Sequence, residues 1–286
     1  MNDAPPTSRE WLWAARARLE IAGLSVTAER EARLLLEHAS GASFLSWWAH
    51  PERRLESAAL LRAEALLARR VQREPLAYVL GEASFFGRSF HVEPGVLVPR
   101  EDSAALIELA LELAPAGARS VVEVGVGSGC LIATLLVERP TWCGFGVDLD
   151  PLALHCTREN ARRHALESRL SLWRGDSLGA LCPRARFDLL ISNPPYVTPS
   201  ELAACEPEVR TWEPRLALLA PEADPLAAYR PLVARWAASA RGTALVCEVG
   251  AGRADAVEGL LRAHGPRAIA VRADWGGVPR AVGAVL

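Results

Sequence analysis

The sequence contains no lysine, and all 32 basic side chains are arginine. This bias is read as genome composition rather than mechanism, although arginine still recognises planar and acidic groups well. An overall positive field is also missing. The formal net charge is −2 and there is no long basic run, which argues against a nucleic-acid substrate. No two of the six cysteines (Cys130, Cys143, Cys156, Cys182, Cys205 and Cys247) stand in C-x-x-C spacing. No metal site is therefore expected. Their places in apolar segments predict buried free thiols in a reducing compartment. The opening MNDAPPTSREW has no basic-then-apolar leader pattern. No apolar run reaches the roughly 20 residues of a membrane helix. The expectation is a cytoplasmic protein that does not engage a membrane. Internal repeats and low-complexity segments are absent too. Half of the 286 residues are hydrophobic and 23% are charged, the balance of a globular chain long enough for one large and one small domain.

Residues 1–75 read as all-helical. Ser8 is placed to cap a helix carrying Leu12, Ala15 and Leu19 on one face, and Thr27 a second helix that runs through Leu34 and Leu35 and stops at Gly41. A third carries Leu60, Ala63, Leu67 and Val71 at helical spacing. This region holds no chemical motif and is expected to be a small bundle. Adjacent Trp47 and Trp48 are read as core, with a partner-binding surface as the alternative. Residues 76–115 read as a connector. Glycines 81, 87 and 95 with aromatics between them predict short strands or a hairpin there.

From 116 to 286 the pattern alternates. Strands are expected at 120–124, 144–147, 170–173, 187–192 and 244–248, with helices at 131–137, 151–165 and 226–239. Asp150 is placed to cap the second of these helices, with Pro151 in its first turn and Leu154, Arg158, Ala161 and Ala165 on one face. Strands alternating with helices imply an α/β fold with a largely parallel sheet.

The first strand leads into VVEVGVGSGCLIATLL. Gly125, Gly127 and Gly129, with Val126 and Ser128 between them, let the backbone turn sharply and approach a ligand closely. A dinucleotide site prefers G-x-G-x-x-G so that pyrophosphate can sit on free N–H groups of the next helix. Here the spacing is G-x-G-x-G and the strand ends in an acid, Glu123. An acid suits an ammonium group, such as that of the methionine part of S-adenosylmethionine, better than a pyrophosphate. Asp148 ends the second strand, where an acid accepts ribose hydroxyls. Asp176 follows the third strand and is placed to accept from the adenine amino group. Glycine turn and acids together point to S-adenosylmethionine, with a nicotinamide or other nucleotide as the alternative.

After the fourth strand comes Asn193-Pro194-Pro195-Tyr196. The prolines fix the backbone and remove two N–H donors, but their carbonyls and the Asn193 side chain still accept. A planar –NH₂ group can give one hydrogen to the Asn193 side-chain oxygen and one to the Pro194 carbonyl. That pair fixes the nitrogen and aims its face at a sulfonium methyl. Tyr196 is placed to pack on the planar group or close the pocket. An amide nitrogen is a poor nucleophile, so positioning it and stabilising its developing positive charge are the tasks. No nucleophilic triad is visible or needed.

These motifs together resemble the peptide-chain release factor glutamine methyltransferase family, over nearly the whole chain. EARLLLEHASG and RRVQREPLAYVLGEASFFG look like its helical domain and connector, and VLVPREDSAALIELAL like the motif leading into its catalytic domain. FDLLISNPPYV, EPEVRTWEPRLALLAPEADPLAAYRPLV, CEVGAGRADAVEGLL and RADWGGVPRAVGA resemble its catalytic segment, the stretch after it and its final strands. The resemblance implies a class I, Rossmann-like methyltransferase domain with a seven-stranded, mostly parallel sheet behind a small helical domain that docks substrate. It implies S-adenosylmethionine as methyl donor, S-adenosylhomocysteine as product, and N5 of the glutamine in a Gly-Gly-Gln motif of release factors as acceptor, a step tied to translation termination. A monomer with no nucleic-acid partner is expected. Gly125 to Gly129, Asp148, Asp176 and Asn193 fall at cofactor positions, as does Ser177, where an aromatic residue is common in the family. Asn193 to Tyr196 fall at substrate positions. Arg100, Glu213 and Pro214 lie in family segments near the site. The chain departs from the family pattern at Glu123, Val126, Ala104, Ser177 and Leu219-Ala220-Pro221. Other acceptors compatible with the motif are a ribosomal-protein glutamine, a small-molecule amide or amine, and an adenine N6 in DNA. An inactive cofactor-binding module is the non-enzymatic alternative.

Overall fold

The computed structural model describes residues 4–175 and 186–286. Two compact units are present: one runs to Gly81, the other spans Glu82–Leu286. The segment read as a connector is thus shared between them.

In the first unit, α1 (Ser8–Ile21) is capped by Thr7, whose side chain accepts the Glu10 N–H while Glu10 reaches back. Ser8, expected as the cap, is the first helical residue, and its hydroxyl turns to the Pro51 carbonyl. The buried face is Trp11, Ala15 and Leu19, with Leu12 only half-buried. Thr27 precedes α2 (Ala28–Ser40) without a side-chain cap bond, and Gly41 ends that helix in the left-handed conformation, at φ 69°. Short α3 (Phe44–Ala49) separates the two tryptophans. Trp47 is buried and Trp48 is 71% exposed, because consecutive helical residues point about 100° apart. Helix α4 (Ser57–Val71) buries Ala59, Ala63, Leu67 and Arg70, with Leu60 and Val71 half-buried against the same core. Arg70 Nε meets Glu31 Oε2 at 2.6 Å, so two buried charges satisfy each other inside the bundle. Helix α5 (Leu76–Leu80) completes this unit.

The second unit opens with an antiparallel hairpin of β1 (Glu82–Phe85) and β2 (Arg88–His91), turned by Phe86 and Gly87 at positive φ. The next helix, α6 (Ala104–Leu113), was not expected from the pattern. It is apolar apart from Glu108 and Glu112, because most of it is buried on the sheet. The alternating region follows as β3 (Ser120–Val124), α7 (Cys130–Glu138), β4 (Cys143–Asp148), α8 (Pro151–Arg163), β5 (Leu170–Arg174) and β6 (Leu189–Ser192). Then come α9 (Pro199–Ala204), a π-helical turn over Glu208–Trp212, α10 (Arg215–Leu218), α11 (Tyr229–Ala237), β7 (Ala244–Glu248), α12 (Ala254–Arg262), β8 (Ala268–Ala273) and β9 (Pro279–Val285). Asp150 caps α8 by accepting the Leu152 N–H, with Pro151 in the first turn. The helix stops two residues short of Ala165. Its buried face is Ala153, Leu154, Cys156, Thr157, Asn160 and Ala161, whereas Arg158 and Ala165 face solvent.

The seven strands lie in the order β5-β4-β3-β6-β7-β9-β8, parallel except for β9, which is antiparallel to both neighbours. Successive strand residues serve opposite faces. Val121, Leu189, Ile191 and Val246 join α6 and α7 on one side, and Val122, Leu190, Leu245 and Cys247 join α11 and α12 on the other. The chain winds outward from β3 to β5, then restarts on the other side at β6. Between β3 and β6 the crossovers diverge, which opens a crevice beyond the carboxyl ends of the strands. Among the described residues no helix is long and apolar enough to cross a membrane.

Candidate active site

That crevice holds a cleft of about 230 Å³. Of the residues singled out in the sequence, Arg100, Glu123, Gly125, Val126, Gly127, Ser128, Asp148, Asn193, Pro195 and Pro214 line it. Gly129, Pro194, Tyr196 and Glu213 stand behind the lining. Asp176 and Ser177 lie outside the described residues.

The glycine loop is held from below. Gly125 N–H donates to the Val147 carbonyl (2.8 Å) and Gly127 N–H to Asp148 Oδ2 (3.0 Å). Two residues of α8 hold its carbonyls: Thr157 Oγ1 donates to Gly127 (3.0 Å) and Asn160 Nδ2 to Ser128 (2.8 Å). Gly129 sits at φ 77°, and a Cβ there would fall 2.6 Å from Thr157 Cγ2, so only glycine fits. A Cβ on Gly125 or Gly127 would enter open space; here glycine keeps a cradle empty for a ligand.

Glu123 is 1% exposed and accepts the Ile132 N–H (2.9 Å). The start of α7 is therefore already served by a carboxylate and is not open to an anion, in keeping with the sequence reading that this turn suits a pyrophosphate poorly. Burial pushes the Glu123 carboxyl well above its ordinary pKa, against the Ile132 bond, and nearby Asp148 pushes the same way. Asp148 is raised by burial too, with the Gly127 and Asp150 N–H groups opposing. Among the described residues, the cleft is lined by three carboxylates (Glu123, Asp148 and Asp150) and one cation, Arg100. Arg100 is engaged: its Nη2 meets Glu213 Oε1 at 2.5 Å, and the Val98 N–H donates to the other oxygen at 3.3 Å. A ligand rich in ammonium and hydroxyl donors fits such walls, and a pyrophosphate does not.

On the opposite wall, β6 delivers Asn193 and Pro195 to the cleft, with Pro194 buried behind them. Tyr196 turns inward, and its hydroxyl donates to Glu248 Oε1 (3.2 Å). Its ring lies against Gly250, where a Cβ would come within 2.9 Å of Tyr196 Cδ2.

Family models match twice: "PrmC N-terminal domain" over residues 10–81 and "Methyltransferase small domain" over residues 89–206. A release factor glutamine methyltransferase of Cereibacter sphaeroides is 42% identical over 276 residues, covering 96% of this chain and 97% of the relative. The chain belongs to the release factor glutamine methyltransferase family. Another member, from Geobacter sulfurreducens, is 37% identical over 90% of this chain and 89% of its own. Among solved structures, the hMettl16 catalytic domain in complex with MAT2A 3'UTR hairpin 1 superposes with TM-score 0.56 at 14% identity, over 88% of this chain and 90% of that one. That likeness concerns the fold alone. The methyltransferase domain and its fold imply use of S-adenosylmethionine.

In this family member the site also draws on residues that sequence reading passed over. Glu248 ends β7 as Asp148 ends β4, with Glu123 one residue from the end of β3, and an acid at the end of an apolar strand was the available signal. Ser103, Thr157 and Asn160 carried none, since their roles arise only from packing.

Proposed function

We propose that this chain methylates N5 of the glutamine side chain in the Gly-Gly-Gln motif of peptide-chain release factors, as a cytoplasmic monomer acting on protein. One observation carries the reading: Asn193-Pro194-Pro195-Tyr196 stands at the carboxyl end of β6, on the wall facing the glycine cradle and Asp148. S-adenosylmethionine supplies an electrophilic methyl group. Glu123 and Asp148 would hold its ammonium and ribose hydroxyls, with the cradle glycines against its chain. Asp176 and Ser177 complete the proposed cofactor contacts by their places in the sequence. Asn193 Oδ1 and the Pro194 carbonyl accept the two amide hydrogens, so the substrate nitrogen is held with its face toward the donor. Both acceptors favour the positive charge that develops on that nitrogen. The proton is lost to solvent after transfer. Glu213 and Arg100 brace the segments carrying Val98 and Pro214, which form the substrate side of the cleft. The net charge of −2 and the acidic lining support a protein substrate over nucleic acid.

The test uses labelled S-adenosylmethionine with the cognate release factor, its Gln→Ala motif variant, and Asn193→Ala enzyme. Label is expected only with the intact pair, and Asn193→Ala should lower kcat by about 10²–10³, the loss typical of one preorganised transition-state hydrogen bond. Label retained on the Gln→Ala release factor would refute the reading.

A further inference from the structure

We propose that Glu248 is a positioning residue that fixes the orientation of the Asn193 side-chain amide, so that its oxygen and not its nitrogen faces the acceptor. The inference rests on the glutamine-methylation reading and assigns a role that reading leaves open.

An asparagine amide can flip about its last torsion, exchanging an acceptor for two donors. A flipped Asn193 would present N–H groups to the substrate's own N–H groups and abolish the grip. Something must select the orientation. Strands β6 and β7 are paired in parallel through Ser192 and Cys247, so the next residues, Asn193 and Glu248, emerge side by side. Glu248 is 2% exposed. Its carboxylate accepts the Ser103 hydroxyl at 2.5 Å on Oε2 and the Tyr196 hydroxyl at 3.2 Å on Oε1. The Asn193 side chain lies near enough to the same carboxylate to favour its charge. An ionised carboxylate can only accept, so Asn193 must turn its Nδ2 toward Glu248 and its Oδ1 toward the cleft. The same group holds Tyr196, so one buried acid sets two residues of the tetrapeptide.

The surroundings suit this use better than a structural one. Arg280 lies near enough to favour the charge but spends its own bonds on Asp274 (2.8 Å) and Asp102 (3.3 Å). Desolvation outweighs all of these and raises the Glu248 carboxyl above its ordinary pKa. A group whose folded pKa is raised stabilises the fold in acid and loses that contribution as pH climbs through the folded value. The ionised form of Glu248 is therefore the one that costs the fold stability, and it is the form that can only accept.

The test is Glu248→Gln, which keeps the volume and removes the acceptor-only character. In the release-factor assay kcat should fall at least 30-fold. Kd for S-adenosylmethionine and KM for the release factor should stay within twofold, and Tm should not drop. An independent readout does not need the substrate: the Nδ2 hydrogens of Asn193, identified in ¹H–¹⁵N spectra by their loss in Asn193→Ala, should be protected from exchange in the wild type and lose protection in Glu248→Gln. If Glu248→Gln does not fold, Glu248→Asp carries the same two measurements, keeping the charge one methylene short. A kcat within threefold of wild type, or unchanged Asn193 protection, overturns the proposal. Parallel loss of Tm and cofactor affinity would also overturn it, in favour of a structural role. A wild-type enzyme inactive on the release factor would instead count against the substrate reading, with the exchange measurement still deciding the role of Glu248.

Discussion

Asn160 is the strut on which the glycine loop depends. It is fully buried on α8. Its Oδ1 accepts the His91 N–H at 2.7 Å, and its Nδ2 donates to the carbonyls of His91 (2.9 Å) and Ser128 (2.8 Å). The hairpin and the cofactor loop are thus tied to one side chain. Asn160→Ala removes three hydrogen bonds, and at roughly 1 kcal/mol net each the loss is about 3 kcal/mol. For a unit of this size that lowers Tm by about 6–12 °C. Releasing Ser128 also makes the loop pay ordering entropy on binding, about 1–2 kcal/mol per residue freed, so Kd for S-adenosylmethionine should rise about tenfold. Asn160→Asp separates the contributions: it keeps the acceptor toward His91 but sets a carboxylate oxygen against two carbonyls. Its affinity loss should be at least as large as that of alanine. Calorimetric titration and thermal unfolding of both variants provide the numbers. If affinity is unchanged while Tm falls, Asn160 serves the hairpin alone and the strut argument fails; if neither changes, the bonds contribute nothing net.

Arg100→Ala strands the Glu213 carboxylate, whose burial already raises its pKa against the opposing guanidinium. A raised folded pKa favours the fold in acid, so denaturant titrations should show destabilisation clearly larger at pH 8 than at pH 5, and equal losses would refute the pairing. Breaking a buried pair costs up to about 3–5 kcal/mol, and the 36% exposure of the Arg100 side chain places this one at the lower end or below. Gly250→Ala pushes on the Tyr196 ring from 2.9 Å and should lower kcat while leaving cofactor affinity within twofold. Gly129→Ala meets Thr157 at 2.6 Å in a left-handed conformation, so cofactor affinity should fall at least tenfold by titration. Of the described thiols, Cys156 and Cys247 are pushed up to about 12 by burial, and both should resist alkylation at pH 8 until the protein is unfolded, whereas exposed Cys143 should react promptly.

Periodicity found most of the α/β unit because the central strands β3, β6 and β7 are buried on both faces and read as short apolar runs bounded by turns. It missed α6 because Ala104–Leu113 is buried on several sides, so Glu108 and Glu112 are the only polar residues in an otherwise apolar run. Ser8 and Thr27 show the limit on caps. Ser8 gives up the N-cap position to its neighbour Thr7, and Thr27 holds that position but makes no side-chain bond, because both outcomes depend on how the chain enters the helix. Trp48 was read as core with Trp47, and only the geometry of α3 separates them.

The sequence by itself determined the cradle, the acids that close the apolar strands and the Asn-Pro-Pro-Tyr turn, because these are local: backbone conformation and strand ends are written in a few adjacent residues. The resemblance to one enzyme family was carried by those same segments. Tertiary structure alone decided that Glu123 serves the start of α7, that Arg100 is bound to Glu213 more than a hundred residues away, and that Glu248 stands beside Asn193. Those relations come from strand order and register. The neighbour of β6 across the sheet is β7, and no local pattern encodes which buried acid will meet which amide once the sheet has formed.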